Sequence, residues 1–102
     1  MFVIYFSKSK NVTKKYSVLI GNKTVNFGAN GYSDYTIHKD DKRKQRYINR
    51  HKGKENWGKS GIKTAGFWAR WALWNKKTSA TSLKDIESKF NVKIKKVRLK
   101  IK

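Results

Sequence analysis

The stretch Tyr16-Ser17-Val18-Leu19-Ile20-Gly21-Asn22-Lys23-Thr24-Val25-Asn26-Phe27 decides the fold. Two runs rich in β-branched and aromatic residues flank Gly21-Asn22, a two-residue signal for a tight hairpin. Pairing Ile20 with Lys23 sets Val18 opposite Val25 and Tyr16 opposite Phe27. All of these lie on one face, and such cross-strand pairs are what stabilise a sheet. Before the hairpin, Phe2 to Phe6 is apolar at successive positions and reads as a buried strand. At the far end, Val92 and Ile94 share one parity while Val97, Leu99 and Ile101 share the other. A β-bulge at Lys95-Lys96 would bring both sets onto one face. The expectation is a small antiparallel sheet made of the N-terminal strand, the hairpin and the C-terminal strand.

Helical signals lie between the hairpin and the last strand. Gly28 to Tyr35 reads as loop. Asp40 and Asp41 suit the positive end of a helix that runs to Arg50, with only Tyr47 and Ile48 apolar. Lys52 to Gly61 carries three glycines and reads as loop. Thr64 can cap a helix over Ala65 to Trp74, which is apolar nearly all round and therefore expects burial on several sides. Ser82 and Asp85 resemble a capping box, followed by Leu83, Ile86 and Phe90 at helical spacing. Asp85 is placed to pair with Lys89 one turn on. The fold class is α+β, with the sheet packed against two to three helices in a single domain, residues 1–102.

Composition bounds the function. The chain has 102 residues, 26 Lys+Arg and 6 Asp+Glu, for a formal net charge of +20. A compact chain so charged repels itself and is expected to act against something negative. Leu, Ile, Val and Phe total 23 residues, and there are 14 aromatics. A disordered basic tail carries fewer. The core is thin for its size, so the apolar helix also suggests a homodimer with Phe67, Trp68, Trp71 and Trp74 at its interface. No apolar run reaches the roughly 20 residues of a membrane span. No N-terminal run suits a signal peptide, so use inside a cell is expected and the Asn11-Val12-Thr13 and Asn22-Lys23-Thr24 triplets read as chance.

The charge is concentrated. Lys39 to Lys63 holds ten basic and three acidic residues, and Val92 to Lys102 holds six basic and none acidic. These tracts carry thirteen of the twenty excess charges. The first supplies Lys39, Lys42, Arg43, Lys44, Arg46, Arg50, Lys52, Lys54, Lys59 and Lys63. The second supplies Lys93, Lys95, Lys96, Arg98 and Lys100. Each can follow a phosphate backbone, which offers one charge per roughly 1.7 Å of duplex. Lysine outnumbers arginine 21 to 5. Lysine acts as a point charge, whereas the arginine fork is favoured for reading guanine edges, so backbone contact with little sequence preference is expected. Tyr32, Tyr35 and Trp57, in loops among charges, are candidates for base stacking. Arg70 can reach a phosphate or snorkel from its helix.

An enzyme is not expected, and neither is a metal or other cofactor. There is no Cys, and His38 and His51 lack a carboxylate cluster of metal-binding type. His38 with Asp40 and Asp41 is the one local grouping of acid and base, and a helix N-terminus accounts for both acids. No Walker-type loop, serine elbow or zinc pattern occurs. Gly28-Ala29-Asn30-Gly31 lacks the following apolar helix that a phosphate-cradling loop requires.

The centre of the chain carries a further pattern. It runs from Phe27-Gly28-Ala29-Asn30-Gly31-Tyr32-Ser33-Asp34-Tyr35-Thr36-Ile37-His38-Lys39-Asp40 to Arg46-Tyr47-Ile48 with Arg50-His51. Trp57, Lys59-Ser60-Gly61, Ala65-Gly66-Phe67-Trp68 and Leu73-Trp74-Asn75-Lys76 come next, then Leu83-Lys84-Asp85-Ile86-Glu87 and Phe90-Asn91. In this order the motifs resemble a family of small basic proteins of nucleocytoplasmic large DNA viruses, including marseillevirus-like and mimivirus-like giant viruses. The resemblance covers Phe27 to Val92 and supplies no catalytic residues. It implies a virus-encoded protein packaged in the virion and present in the host cell interior during infection, and the net charge of +20 points to association with the genome. The leading expectation is therefore binding of nucleic acid, as double-stranded DNA, in genome packaging or condensation. The alternative is a structural virion protein whose basic surface bridges acidic capsid or internal proteins.

Overall fold

The computed structural model describes residues 3–97. Phe2, Arg98, Leu99, Lys100 and Ile101 lie outside the described residues, and so do the expectations placed on them. Strands β1 (Val3–Lys8), β2 (Lys14–Ile20), β3 (Lys23–Ala29) and β4 (Lys93–Lys96) form one sheet in the order β3-β2-β1-β4. The hairpin has the register its side chains demand, with Ile20 opposite Lys23, Val18 opposite Val25 and Tyr16 opposite Phe27. Alternate residues Ile4, Phe6, Val18, Ile20, Val25 and Phe27 are buried beneath the helices. Phe6, Tyr16 and Phe27 cluster there, with ring centroids 5.0 to 6.2 Å apart. The fold is α+β, with helices α1 (Tyr35–His38), α2 (Asp41–His51), α3 (Ala65–Trp68) and α4 (Ser79–Phe90).

The sheet is mixed, not antiparallel throughout. β4 runs parallel to β1, with Ile4 beside Ile94 and Tyr5 beside Lys95. A parallel neighbour needs a crossover connection, and the chain from β1 to β4 runs through the β2–β3 hairpin and then everything from α1 to α4. No bulge occurs at Lys95-Lys96. The ladder continues in step and the Val97 N–H donates to the Phe6 carbonyl at 2.7 Å. Ile94 therefore faces the core side, while Val97 is exposed on the opposite face with Tyr5 and Leu19.

Capping also differs from expectation in two places. Asp34 starts α1, a turn that the Gly28–Tyr35 loop assignment does not contain; its carboxylate accepts from the Thr36 N–H at 2.9 Å. The same carboxylate takes the Lys15 ammonium at 2.6 Å, the one ion pair among the described residues. Asp34 is 2% exposed. Asp34→Ala therefore removes a cap and leaves Lys15 half-sequestered without a counter-charge, and is expected to cost about 3 kcal/mol in urea unfolding. The second difference is α4, which begins one turn before Ser82, with Thr78 as its cap. Ser82 instead lies buried and accepts from the Lys76 N–H at 3.0 Å, and Asp85 accepts from the Asn75 amide at 2.8 Å. Asp85 thus makes no pair with Lys89, whose ammonium sits 5.1 Å from the Trp71 ring centroid.

The apolar helix is the centre of the fold. Thr64 caps α3 through the Phe67 N–H. At Ala69–Leu73 the helix widens to a π turn, with the Trp74 N–H reaching the Ala69 carbonyl at 3.1 Å. Such single-turn expansions insert a residue and re-aim the side chains beyond it. Three surfaces then take its aromatic rings. Trp68 meets Phe27 of the sheet at 6.1 Å, Phe67 and Trp71 meet Phe90 of α4 at 4.9 and 5.5 Å, and Trp74 lies flat on Tyr47 of α2 at 4.4 Å. Phe67 and Trp68 are 0% exposed within one chain. Of the four residues expected at a dimer interface, Phe67 and Trp68 are therefore core, while Trp71 and Trp74 are partly buried against Phe90 and Tyr47.

Candidate functional site

Helix α2 sorts its residues by arc. Asp40 caps it, accepting from the Lys42 and Arg43 N–H groups at 2.9 and 3.3 Å. Tyr47 is buried and Lys44, Ile48 and His51 are partly covered, so they mark the inward side. Burial, with Glu55 nearby, pushes the Tyr47 phenol up to about 12, so it stays protonated. Lys42, Arg43, Arg46 and Arg50 are all exposed. At roughly 100° per residue they fall within one arc. From Arg43 to Arg50 the helix rises about 10 Å.

Arg43, Arg46 and Arg50 line one wall of a cleft of about 510 Å³. Phe27, Ala69 and Leu73 contribute apolar surface, Lys14 and Lys15 come from β2, and the loop Tyr32–Asp34 adds a further margin. The cleft holds five Lys and Arg cations against two carboxylates, and one of these, Asp34, is already paired with Lys15. The other, Glu55, lies against α3, where only a glycine fits. A Cβ on Gly66 would stand 1.4 Å from its Oε2. None of the three arginines has a carboxylate partner among the described residues. Three fork-shaped cations with free N–H groups on one cleft wall suit phosphate oxygens.

The other expected cations separate into groups. Lys44 turns inward, donating to the Asn75 carbonyl at 2.7 Å above the Tyr35 ring, and burial lowers its pKa. It is no longer free to meet a phosphate. Lys39 donates to the Thr36 carbonyl at 2.7 Å but stays exposed. Lys52, Lys54, Lys59 and Lys63 are exposed on the connection between α2 and α3. Lys93, Lys95 and Lys96 are exposed on β4, at the sheet edge opposite β3. Three strand spacings, about 14 Å, separate that edge from the one bordering the cleft. The two tracts therefore make two surfaces. Arg70 belongs to neither. It is sandwiched 5.4 and 4.3 Å from the Trp57 and Trp71 rings, donates to the Trp74 carbonyl, and burial lowers its pKa.

The stacking candidates also divide. Tyr35 is buried and its hydroxyl donates to Asp41, while Trp57 packs on Tyr47 and beneath Arg70. Tyr32 remains 74% exposed at the cleft margin. Lys14 and Lys15 were absent from the expected set because a strand of alternating polarity gives no hint that its lysines border a helix wall.

Residues 4–51 match a family of unknown function, DUF5754. The match takes in the hairpin, α1 and α2 with its arginines, and stops before the aromatic helix. No curated protein and no solved structure matches the chain.

His38, Asp40 and Asp41 are committed to local structure. Asp41 accepts from Tyr35, and the Asp40 N–H donates to His38 Nδ1 at 2.9 Å. No group of three or more His, Cys, Asp or Glu side chains among the described residues is placed to hold a metal ion. Burial lowers the His38 pKa below 6.5, helped by Arg43. Below about pH 6.5 the unfolded chain takes up a proton that the native state resists, so stability falls as pH drops through that value. Protonation would also remove the Nδ1 acceptor. A urea midpoint lower at about pH 5.5 than at about pH 7.5 is expected, with a smaller difference in His38→Gln.

Proposed function

We propose that this domain binds and charge-neutralises double-stranded nucleic acid, largely without sequence preference. One observation carries the reading: Arg43, Arg46 and Arg50 stand along one exposed face of α2 with no carboxylate partner among the described residues. A helix of this length presents its stripe over about 10 Å, the span of roughly six duplex charges. The β4 lysines supply a second, separate contact surface, suited to bridging two duplex segments and hence to condensation. The resemblance of the central motifs to small basic proteins of giant viruses supports placing that nucleic acid in a viral genome and the protein in the particle.

Binding of blunt duplexes of unrelated sequence, followed between about 50 and 200 mM salt, tests the reading. Six or more phosphate contacts predict a loss of about 10³-fold or more over that range, equal for every sequence. Binding that ignores salt, or is absent, overturns it. An acidic protein partner that displaces the duplex at equal charge would favour the structural virion role instead.

A further inference from the structure

The arginine-lined cleft is more than a stripe on a helix. Its volume of about 510 Å³ falls within the range of small-ligand sites, and a duplex backbone passing over α2 would leave it unfilled. It combines three features that a flat phosphate track does not need. The first is an apolar floor from Phe27, Ala69 and Leu73. The second is Tyr32, an aromatic ring 74% exposed at the margin. The third is a loop held in place to present that ring. Gly31 takes φ +87°, a conformation other residues rarely adopt. The Lys15 ammonium bonds both the Tyr32 carbonyl and Asp34. An exposed tyrosine on an anchored loop beside unpaired arginines is the arrangement by which proteins stack one base while gripping its phosphate. Glu55, on the α3 side, repels an anion and leaves the arginine wall as the phosphate end.

We infer that the cleft takes one unpaired nucleotide unit, its phosphate on Arg43, Arg46 and Arg50 and its base stacked on Tyr32. The inference rests on the duplex-binding reading for its biological setting, since strand ends and gaps offer such a unit. The same chemistry is also offered by a free nucleoside monophosphate.

Fluorescence anisotropy with a blunt duplex, the same duplex carrying a short unpaired overhang, and adenosine monophosphate as competitor tests it at one fixed salt concentration. The overhang is expected to bind roughly tenfold more tightly than the blunt form. Tyr32→Ala abolishes that difference while leaving blunt binding unchanged, and Tyr32→Phe keeps it. Tyr32 is exposed, so both variants fold. If adenosine monophosphate erases the overhang advantage without displacing the blunt duplex, the cleft accepts the unit from either source. If it fails to compete while the advantage persists, the strand is the source. Equal binding of blunt and overhang forms, with no effect of the monophosphate, overturns the inference but leaves duplex binding standing. Loss of blunt binding alone, with the monophosphate or overhang still bound, overturns the duplex reading and leaves the cleft.

Discussion

Replacing Arg43, Arg46 and Arg50 together with alanine is expected to weaken duplex binding on the order of 10²- to 10³-fold at about 0.1 M salt. The salt slope, log affinity against log salt, should become shallower by about three. Each phosphate contact contributes roughly 0.9 to that slope, and the three exposed guanidinium groups stand on one wall without partners. The triple variant should fold, because the Asp40 cap is untouched and alanine is the better helix former. Alanine at Lys93, Lys95 and Lys96 is the matched control of equal charge. It should weaken binding less, since lysine grips a phosphate as a single point charge. Equal losses in the two variants would mean that total charge, not the cleft wall, sets affinity.

Trp68→Ala is expected to remove much of the protein's stability, with a loss of about 4 kcal/mol or more in urea denaturation. The indole is 0% exposed and wedged between Phe27 of the sheet and Phe67 of its own helix. Its Nε1–H donates to the Ile62 carbonyl at 2.7 Å. Removing it opens a cavity where the sheet meets the aromatic helix, and leaves that carbonyl without its donor. A domain of this length has only about 5 to 15 kcal/mol in total. Trp68→Phe keeps most of the volume and should lose markedly less.

Much of the fold was legible because two periodicities were clean. The hairpin register comes from turn chemistry plus alternate burial, and α2 from two acids ahead of a basic run. The features that were not legible depend on partners distant along the chain. The direction of β4 is set by where α4 delivers the chain, not by the alternation of Val92, Ile94 and Val97. The π turn at Ala69–Leu73 has no local mark, and beyond it Trp74 lies flat on Tyr47. An apolar helix reads the same whether its surfaces are covered by its own domain or by another chain, so the residues alone could not place Phe67 and Trp68 in the core.

The site was half legible. Charge density pointed to Arg43, Arg46 and Arg50, yet it equally pointed to Lys44, which folds inward to Asn75, and to the β4 lysines at the far edge. Composition counts charges without direction, whereas carboxylate partners and burial decide which remain free. Tyr32 differs from Tyr35 and Trp57 only in the loop geometry that leaves it outside, and no pattern in the residues ranks the three.

Mapping a blunt duplex onto the protein by amide chemical shifts tests the central claim most directly. Shifts concentrated on Asp41–His51, with smaller ones on β4, are the predicted result. Shifts confined to β4 or to Ser79–Phe90, with α2 silent at saturation, would contradict it.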